Sequence, residues 1–161
     1  ILDETINSKD LVYRNGLGYK NFTDTPFTGK ITGKEEGYFT GGKWDGAYIS
    51  YYDTGQIEHT GSYKKARKDG PWKSFRIDGH IMSEGSYKNG LKEGPWKFYH
   101  LFGTNLHISN NHKNGKKDGV YKSYWGNGNL MQRGSYQNDK PKGLWIYYDK
   151  DGIKERNKKI Y

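Results

Sequence analysis

The residues best equipped for chemistry are scattered along this chain. The histidines His59, His80, His100, His107 and His112 fall at unrelated positions. None stands in a His-x-x-x-His spacing beside a carboxylate, the arrangement that would aim two imidazoles at one metal ion. His107 and His112 are near enough in sequence to approach each other, although a hydrogen-bonded or solvent-facing histidine is the plainer reading of each. The acids recur rather than converge. Asp53, Asp78, Asp149 and Asp151 form one series, and Asp45, Asp69, Glu93, Asp118 and Asp139 another. Acids repeated in this way suit turn chemistry, where a short side chain accepts from nearby backbone N–H groups, better than general acid–base work. No Ser-His-Asp order, phosphate-cradling glycine loop or nucleophile elbow appears in the sequence, and there is no cysteine to supply a thiolate. The sequence therefore predicts no catalytic residue, no cofactor and no metal ligand.

What recurs is a frame of glycines and rings. Gly46, Gly70, Gly94, Gly119 and Gly143 are separated by 24, 24, 25 and 24 residues. An aromatic follows at the second position (Tyr48, Trp72, Trp96, Tyr121, Trp145) and another at the fifth (Tyr51, Phe75, Tyr99, Tyr124, Tyr148). Each period holds two turn signals. Asp78-Gly79, Asn127-Gly128 and Asp151-Gly152 mark one, and Asn89-Gly90, Asn114-Gly115 and the weaker Asn138-Asp139 the other. Asn-Gly and Asp-Gly tolerate the positive φ of tight hairpin turns. Two turns per period leave two strands of ordinary length, and no segment shows a 3.6-residue apolar period. The fold expected is all-β: a single-layer antiparallel meander of tandem β-hairpins, elongated and twisted. Alternation puts Gly61, Gly85 and Gly134 on one strand face with Tyr63, Tyr87 and Tyr136, so each bare glycine leaves room for a ring from the next strand. The rings at the second and fifth positions should lie on opposite faces.

The expected organisation is a cap over residues 1–28, a repeat array over 29–152 and a basic edge strand over 153–161. Within the array the Gly29 hairpin is shortened, and an extra residue between Gly103 and Leu106 predicts a bulge, with His112 where other repeats have Tyr. Lys154, Arg156, Lys158 and Lys159 load the last strand, as suits an edge that must avoid further pairing.

Composition bounds the rest. Only 32% of the 161 residues are hydrophobic, but half of these are rings, and 16% aromatic content placed periodically argues against disorder. The net charge is +9, and it is uneven. A zigzag chain gathers all turns of the second kind on one rim, with Lys43, Lys64, Lys65, Arg67, Lys68, Lys88, Lys92, Lys113, Lys116, Lys117, Lys140 and Lys142. These twelve cations face five acids. The opposite rim is nearly neutral and carries Leu101, Phe102 and Trp125, of which Phe102 and Trp125 are candidate anchors for a partner.

The stretch from Gly85 to Tyr99, Gly-Ser-Tyr-Lys-Asn-Gly-Leu-Lys-Glu-Gly-Pro-Trp-Lys-Phe-Tyr, resembles the MORN repeat in its bacterial variant form, and the likeness extends over residues 29–152. The opening segment Asp10–Tyr19, with Pro26-Phe27-Thr28-Gly29-Lys30, is similar to the start of the bacterial YwqK-type antitoxin family. That resemblance implies a hairpin meander without catalytic residues and a protein partner, such as a toxin that it neutralises. It frames the expected function: a non-enzymatic scaffold binding an acidic protein along the lysine rim. Two alternatives stand beside it. The segment Tyr121–Met131 is similar to cell-wall-binding repeats, which implies a glycan or choline ligand held by exposed rings. Lysine rows would also attract anionic lipid. Specific nucleic-acid binding is not expected, since Lys predominates over Arg and no recognition motif is present. Open sheet edges allow end-to-end homo-oligomers. The chain starts at Ile1 rather than Met, so a preceding segment is expected. The compartment is either the bacterial cytoplasm or the exported envelope.

Overall fold

The computed structural model describes residues 3–101, 103–152 and 155–161. Two compact units appear, residues 1–79 and 80–161. Both are built of strands, because rings and β-branched residues alternate between glycine-bearing turns that no helix would accept. No helix of the described residues is long and apolar enough to cross a membrane.

The first unit contains β1 (Thr5–Asn7), a 3-10 turn (Ser8–Asp10), β2 (Leu11–Arg14), β3 (Leu17–Lys20), β4 (Gly29–Thr32) and β5 (Glu35–Thr40). It continues with β6 (Lys43–Tyr51), β7 (Ile57–Lys64), β8 (Arg67–Lys68) and β9 (Gly70–Phe75). From β4 onward each strand pairs antiparallel with the next, β8 and β9 both lying against β7. One pairing departs from the antiparallel expectation: β1 runs parallel to β4, Thr5 opposite Lys30 and Asn7 opposite Thr32. Parallel neighbours need a long crossover, and the β2–β3 hairpin between them supplies it. This hairpin closes over the unit's core of Ile6, Phe27, Ile31 and Phe39. A β-carbon at Gly18 would lie 2.5 Å from the Phe39 ring, so the cap backbone rests directly on it.

The second unit runs β10 (Ile81–Lys88), β11 (Leu91–Tyr99), β12 (Leu106–Lys113), β13 (Lys116–Tyr124), β14 (Leu130–Gln137), β15 (Lys140–Tyr148) and β16 (Glu155–Ile160). Every neighbouring pair is antiparallel. The last strand is Glu155–Ile160, while Lys154 lies outside the described residues.

The recurring glycines of the frame prove to be bulge residues rather than turn residues. Glu84 pairs with Lys97 but Ser86 with Glu93, so Gly85 alone faces the three residues Gly94–Trp96. The same three-against-one step occurs at Asn111 in the next hairpin and at Gly134 in the one after. Gly46, Gly70, Gly94, Gly119 and Gly143 have φ of 106°, 91°, 71°, 105° and 68°, the region that glycine adopts freely. The bulge expected specifically beside Gly103 is therefore not special to that repeat. The shift between Phe98 and Tyr99 recurs between Ser50 and Tyr51, Ser123 and Tyr124, and Tyr147 and Tyr148. The extra residue lengthens the turn instead. The His100 N–H reaches the Asn105 carbonyl, whereas Tyr52 and Trp125 reach Gln56 and Asn129.

The bulge aims each tryptophan at a glycine. A β-carbon on Gly61 would lie 2.0 Å from Trp72, one on Gly85 2.3 Å from Trp96, and one on Gly134 2.2 Å from Trp145. These indoles are 3%, 2% and 3% exposed although only one sheet layer supports them. Tyr63, Tyr87 and Tyr136 close their edges at 5.5, 5.0 and 5.2 Å between ring centroids, near perpendicular. Where the frame ring is the smaller Tyr121, Asn110 replaces the facing glycine and is buried too. The fifth-position ring lies on the other face, as expected. Tyr99 donates to Glu84 Oε1 at 2.7 Å, and Lys97 meets the same carboxylate at 3.6 Å.

Gly85→Ala should therefore destabilise the second unit by about 1–3 kcal/mol, the range for overpacking, because the methyl group meets a ring pinned on both sides. Urea unfolding followed by tryptophan fluorescence measures it, and an unchanged midpoint would show that the indole does not rest on the backbone.

Candidate interaction surface and a polar groove

Two turn chemistries separate the rims. At Asn89-Gly90, Asn114-Gly115, Asn138-Asp139 and Lys65-Ala66 both central residues have positive φ, between 50° and 84°. These are type I′ turns, whose twist matches that of paired strands. The Lys65-Ala66 turn carries no sequence signal, since neither residue favours the left-handed region. At the opposite ends only the glycine is left-handed, as at Gly55 (89°), Gly79 (85°) and Gly128 (89°). There its N–H bonds the carbonyl three residues back. Asp78-Gly79 and its equivalents are thus longer loops with a single left-handed residue, not the same turn as Asn89-Gly90.

The type I′ turns are tied to one another. In the second unit the Gly115 N–H donates to the Lys92 carbonyl at 2.9 Å, and the Asp139 N–H to the Lys117 carbonyl at 2.9 Å. Carboxylates complete the ties. Glu93 accepts from the Asn114 N–H at 2.8 Å, Asp118 from Asn138 at 3.2 Å, and Asp139 from Lys117 at 2.7 Å. In the first unit Asp45 accepts from the Lys65 N–H at 3.4 Å. Asp45, Glu93, Asp118 and Asp139 are thus turn acids, as the sequence suggested.

The rim cations divide into two groups. Lys43, Lys64, Lys65, Arg67, Lys88, Lys113, Lys116, Lys140 and Lys142 are exposed. Lys68, Lys92 and Lys117 are not free in this way: they fold back over rings. Lys68 Nζ is 3.9 Å from the Trp72 ring centroid, Lys92 4.4 Å from that of Trp96, and Lys117 5.1 Å from that of Tyr136. Their stems cover aromatic surface while the ammonium meets the ring's negative face. Burial, then the charge of Lys117, holds the Lys92 ammonium below its ordinary pKa. These three roof the aromatic layer. Trp125 is half-buried, and its indole N–H is buried without a partner. Phe102 lies outside the described residues, and Leu101 is 69% exposed. The indoles of the frame are covered, so they form no solvent-facing cage of the kind a choline or glycan reading requires.

The histidines do not gather as the sequence allowed. His107 pairs with His100, ring centroids 4.3 Å apart, while His112 lies on the other face against Trp96 at 6.3 Å. Five residues along a strand place them on opposite sides. Among the described residues no group of three or more His, Cys, Asp or Glu side chains is placed to hold a metal ion.

The sequence reading missed a groove in the first unit. Its volume is about 480 Å³, and Ser8, Glu35, Tyr48, Ser50, Glu58 and His59 are among its lining. Two positions after the frame ring the chain has Ser50, Ser74 and Ser123 where other repeats have Phe98 and Tyr147, and the small Ser50 side chain lines this groove. Tyr48 donates to Glu35 at 2.6 Å, and burial and that bond push its phenol well above the ordinary range. It is a fixed donor, not a base. His59 Nδ1 is 3.0 Å from Ser74 Oγ, but Ser74 is buried, so this serine–histidine contact has no open face for a substrate. Burial lowers the His59 pKa. The groove offers hydrogen bonds to a small polar molecule without an accessible activated nucleophile.

Three segments, residues 44–65, 68–89 and 117–138, match the MORN repeat variant family. Each segment runs from the bulge through the distal loop to the next type I′ turn or its flank. Among curated proteins no match was found.

Two predictions follow from these contacts. Glu93→Ala should cost about 1 kcal/mol, whereas Glu93→Gln, which keeps the acceptor for the Asn114 N–H, should cost clearly less in urea unfolding; equal losses would mean that charge, not the hydrogen bond, matters. His112 has its pKa lowered, first by burial and then by Lys92 and Lys117, with Asp139 opposing. Below about pH 6.5 the unfolded chain binds this proton more readily than the folded one. Stability is therefore held above that pH and lost as pH falls through the folded value. His112→Tyr, the residue of the other repeats, should reduce the fall in stability between neutral and mildly acidic pH.

Proposed function

We propose that this chain is a repeat scaffold that binds another protein, and that the type I′ rim of the second unit recruits an acidic partner. One observation carries the reading: the charge of that rim is left uncompensated by design of the turns. Lys88, Lys92, Lys113, Lys116, Lys117, Lys140 and Lys142 face Glu93, Asp118 and Asp139, and all three carboxylates are directed at backbone N–H groups. Among the described residues none of the exposed lysines of this rim forms an ion pair with a carboxylate. Hydrogen-bonded turns fix the backbone beneath these lysines, so the ordering on binding falls on the side chains alone, and a row of one sign speeds encounter with the opposite sign. An antitoxin-type factor that neutralises a partner toxin, the role suggested by the opening segment, is a special case in which the toxin is the acidic protein. The first unit repeats the pattern on a smaller scale with Lys43, Lys64, Lys65 and Arg67.

Titrating the full chain with poly-L-glutamate, duplex DNA and phosphatidylserine vesicles at near-physiological salt tests this. Poly-L-glutamate should bind and should weaken about tenfold or more in a Lys113→Glu, Lys116→Glu, Lys140→Glu variant, the loss expected when several exposed charge pairs turn repulsive. Retention on vesicles with no affinity for polyglutamate would replace the protein-binding reading by a lipid-binding one.

A further inference from the structure

The exposed lysines of the second unit are spaced by the hairpins that carry them. Lys88 faces Leu91 across the first turn, Lys113 faces Lys116 across the second, and Lys140 faces Gln137 across the third. Each of the three turns thus presents at least one cation. Strands in a sheet lie about 4.8 Å apart and each repeat adds two, so the turns recur about every 9.6 Å, with a cation before the first turn, on both sides of the second and after the third. The backbone ties from Gly115 to Lys92 and from Asp139 to Lys117 hold that interval independently of the lysine stems.

We propose that this rim docks an extended acidic segment in the polyproline II conformation, with Asp or Glu at every third residue. The inference rests on the protein-binding reading above and specifies the partner's geometry. A polyproline II chain has three residues per turn and rises about 3.1 Å per residue, so side chains three apart leave the same side about 9.3 Å apart. The mismatch with the turn spacing is about 0.3 Å per repeat, and each lysine lies about 2.4 Å to one side of its turn's centre, both within the reach of a lysine stem. Other regular backbones fit worse. In a β-strand, residues three apart point to opposite faces. An α-helix advances only about 5.4 Å per turn. The geometry also disfavours other polyanions. A membrane presents charge in a plane, whereas these turns form a single row. Duplex DNA carries a charge about every 1.7 Å of its axis, far denser than the rim. Acidic unfolded chains already populate polyproline II, so docking them costs little ordering beyond what the free segment has.

The test compares two peptides of identical composition, one with glutamate at every third position and one with the same glutamates in a single block. Fluorescence anisotropy with the full chain should show the phased peptide binding about tenfold tighter. Lys113→Gln with Lys116→Gln should bring the phased peptide down to the level of the blocked one. These two side chains are exposed, and unchanged tryptophan fluorescence would verify the fold of the variant. A Lys73→Gln variant, altered in the first unit, should leave the phased peptide unaffected. Equal binding of both peptides would overturn the spacing while leaving an acid-binding rim intact. Binding of neither would overturn the rim itself, and so would an undiminished affinity in the double variant. Tighter binding of duplex DNA or phosphatidylserine vesicles at the same salt would overturn the peptide in favour of that polyanion.

Discussion

The contact on which the structure depends is an indole laid flat on a strand that has no side chain beneath it. With 32% hydrophobic residues, the chain has too few aliphatic groups to build two layers with a conventional interior. It covers its sheet with its own rings instead. That is possible only where the neighbouring strand offers bare backbone, and Gly61, Gly85 and Gly134 do so for Trp72, Trp96 and Trp145. The seat is not always bare: beside Tyr121 the partner is Asn110, whereas Tyr48, equal in size, faces Gly37. A mid-strand glycine ordinarily weakens a sheet. Here the loss is offset by burial of a large aromatic surface.

The bulge glycines and the roof lysines follow from that contact. A regular strand would stand the indole perpendicular to the sheet. Setting three residues against one re-aims it, and the left-handed φ this demands explains why the frame glycines recur. The outer face of the ring then needs cover. Lys68, Lys92 and Lys117, all two residues before a bulge glycine, provide it. At the same position Trp44 supplies a ring instead, edge-on to Tyr48 at 5.0 Å. Part of what composition presents as a basic surface is therefore the outer skin of the aromatic layer.

How much of this was legible in the sequence depended on whether the cause was local. Period, strand content and most type I′ turns could be read because Asn-Gly and the ring spacing are local signals. The use of Gly85 as a seat for a ring could be read from strand alternation. The bulges could not, since a period fixes where a glycine recurs but not whether it serves a turn or a bulge. The Lys65-Ala66 turn was invisible because tertiary ties, including the Ala66 N–H to the Trp44 carbonyl at 2.8 Å, hold residues that would not choose that conformation. The parallel pairing of β1 depends on a crossover that strand patterning does not encode. Lysines over rings looked like free lysines because side-chain direction is set by the bulge. Trp125 looked exposed because it sits beside a loop.

The residues that hold the turns and the residues that flank them stand at different repeat positions. The residue just before each bulge glycine is Asp45, Asp69, Glu93, Asp118 and then Lys142. Asp45, Glu93 and Asp118 each hold the N–H of the following turn. Lys142 stands before Gly143, which is bonded to Tyr161 through both backbone groups. The three carboxylates that hold a turn thus have a structural role. The residues flanking the turns vary: Lys88 with Leu91, Lys113 with Lys116, Gln137 with Lys140. Their side chains are exposed, and exchanging one for another at such a site changes stability little. A repeat of this kind can thus vary the charges on its rim without disturbing the ring-on-glycine layer beneath.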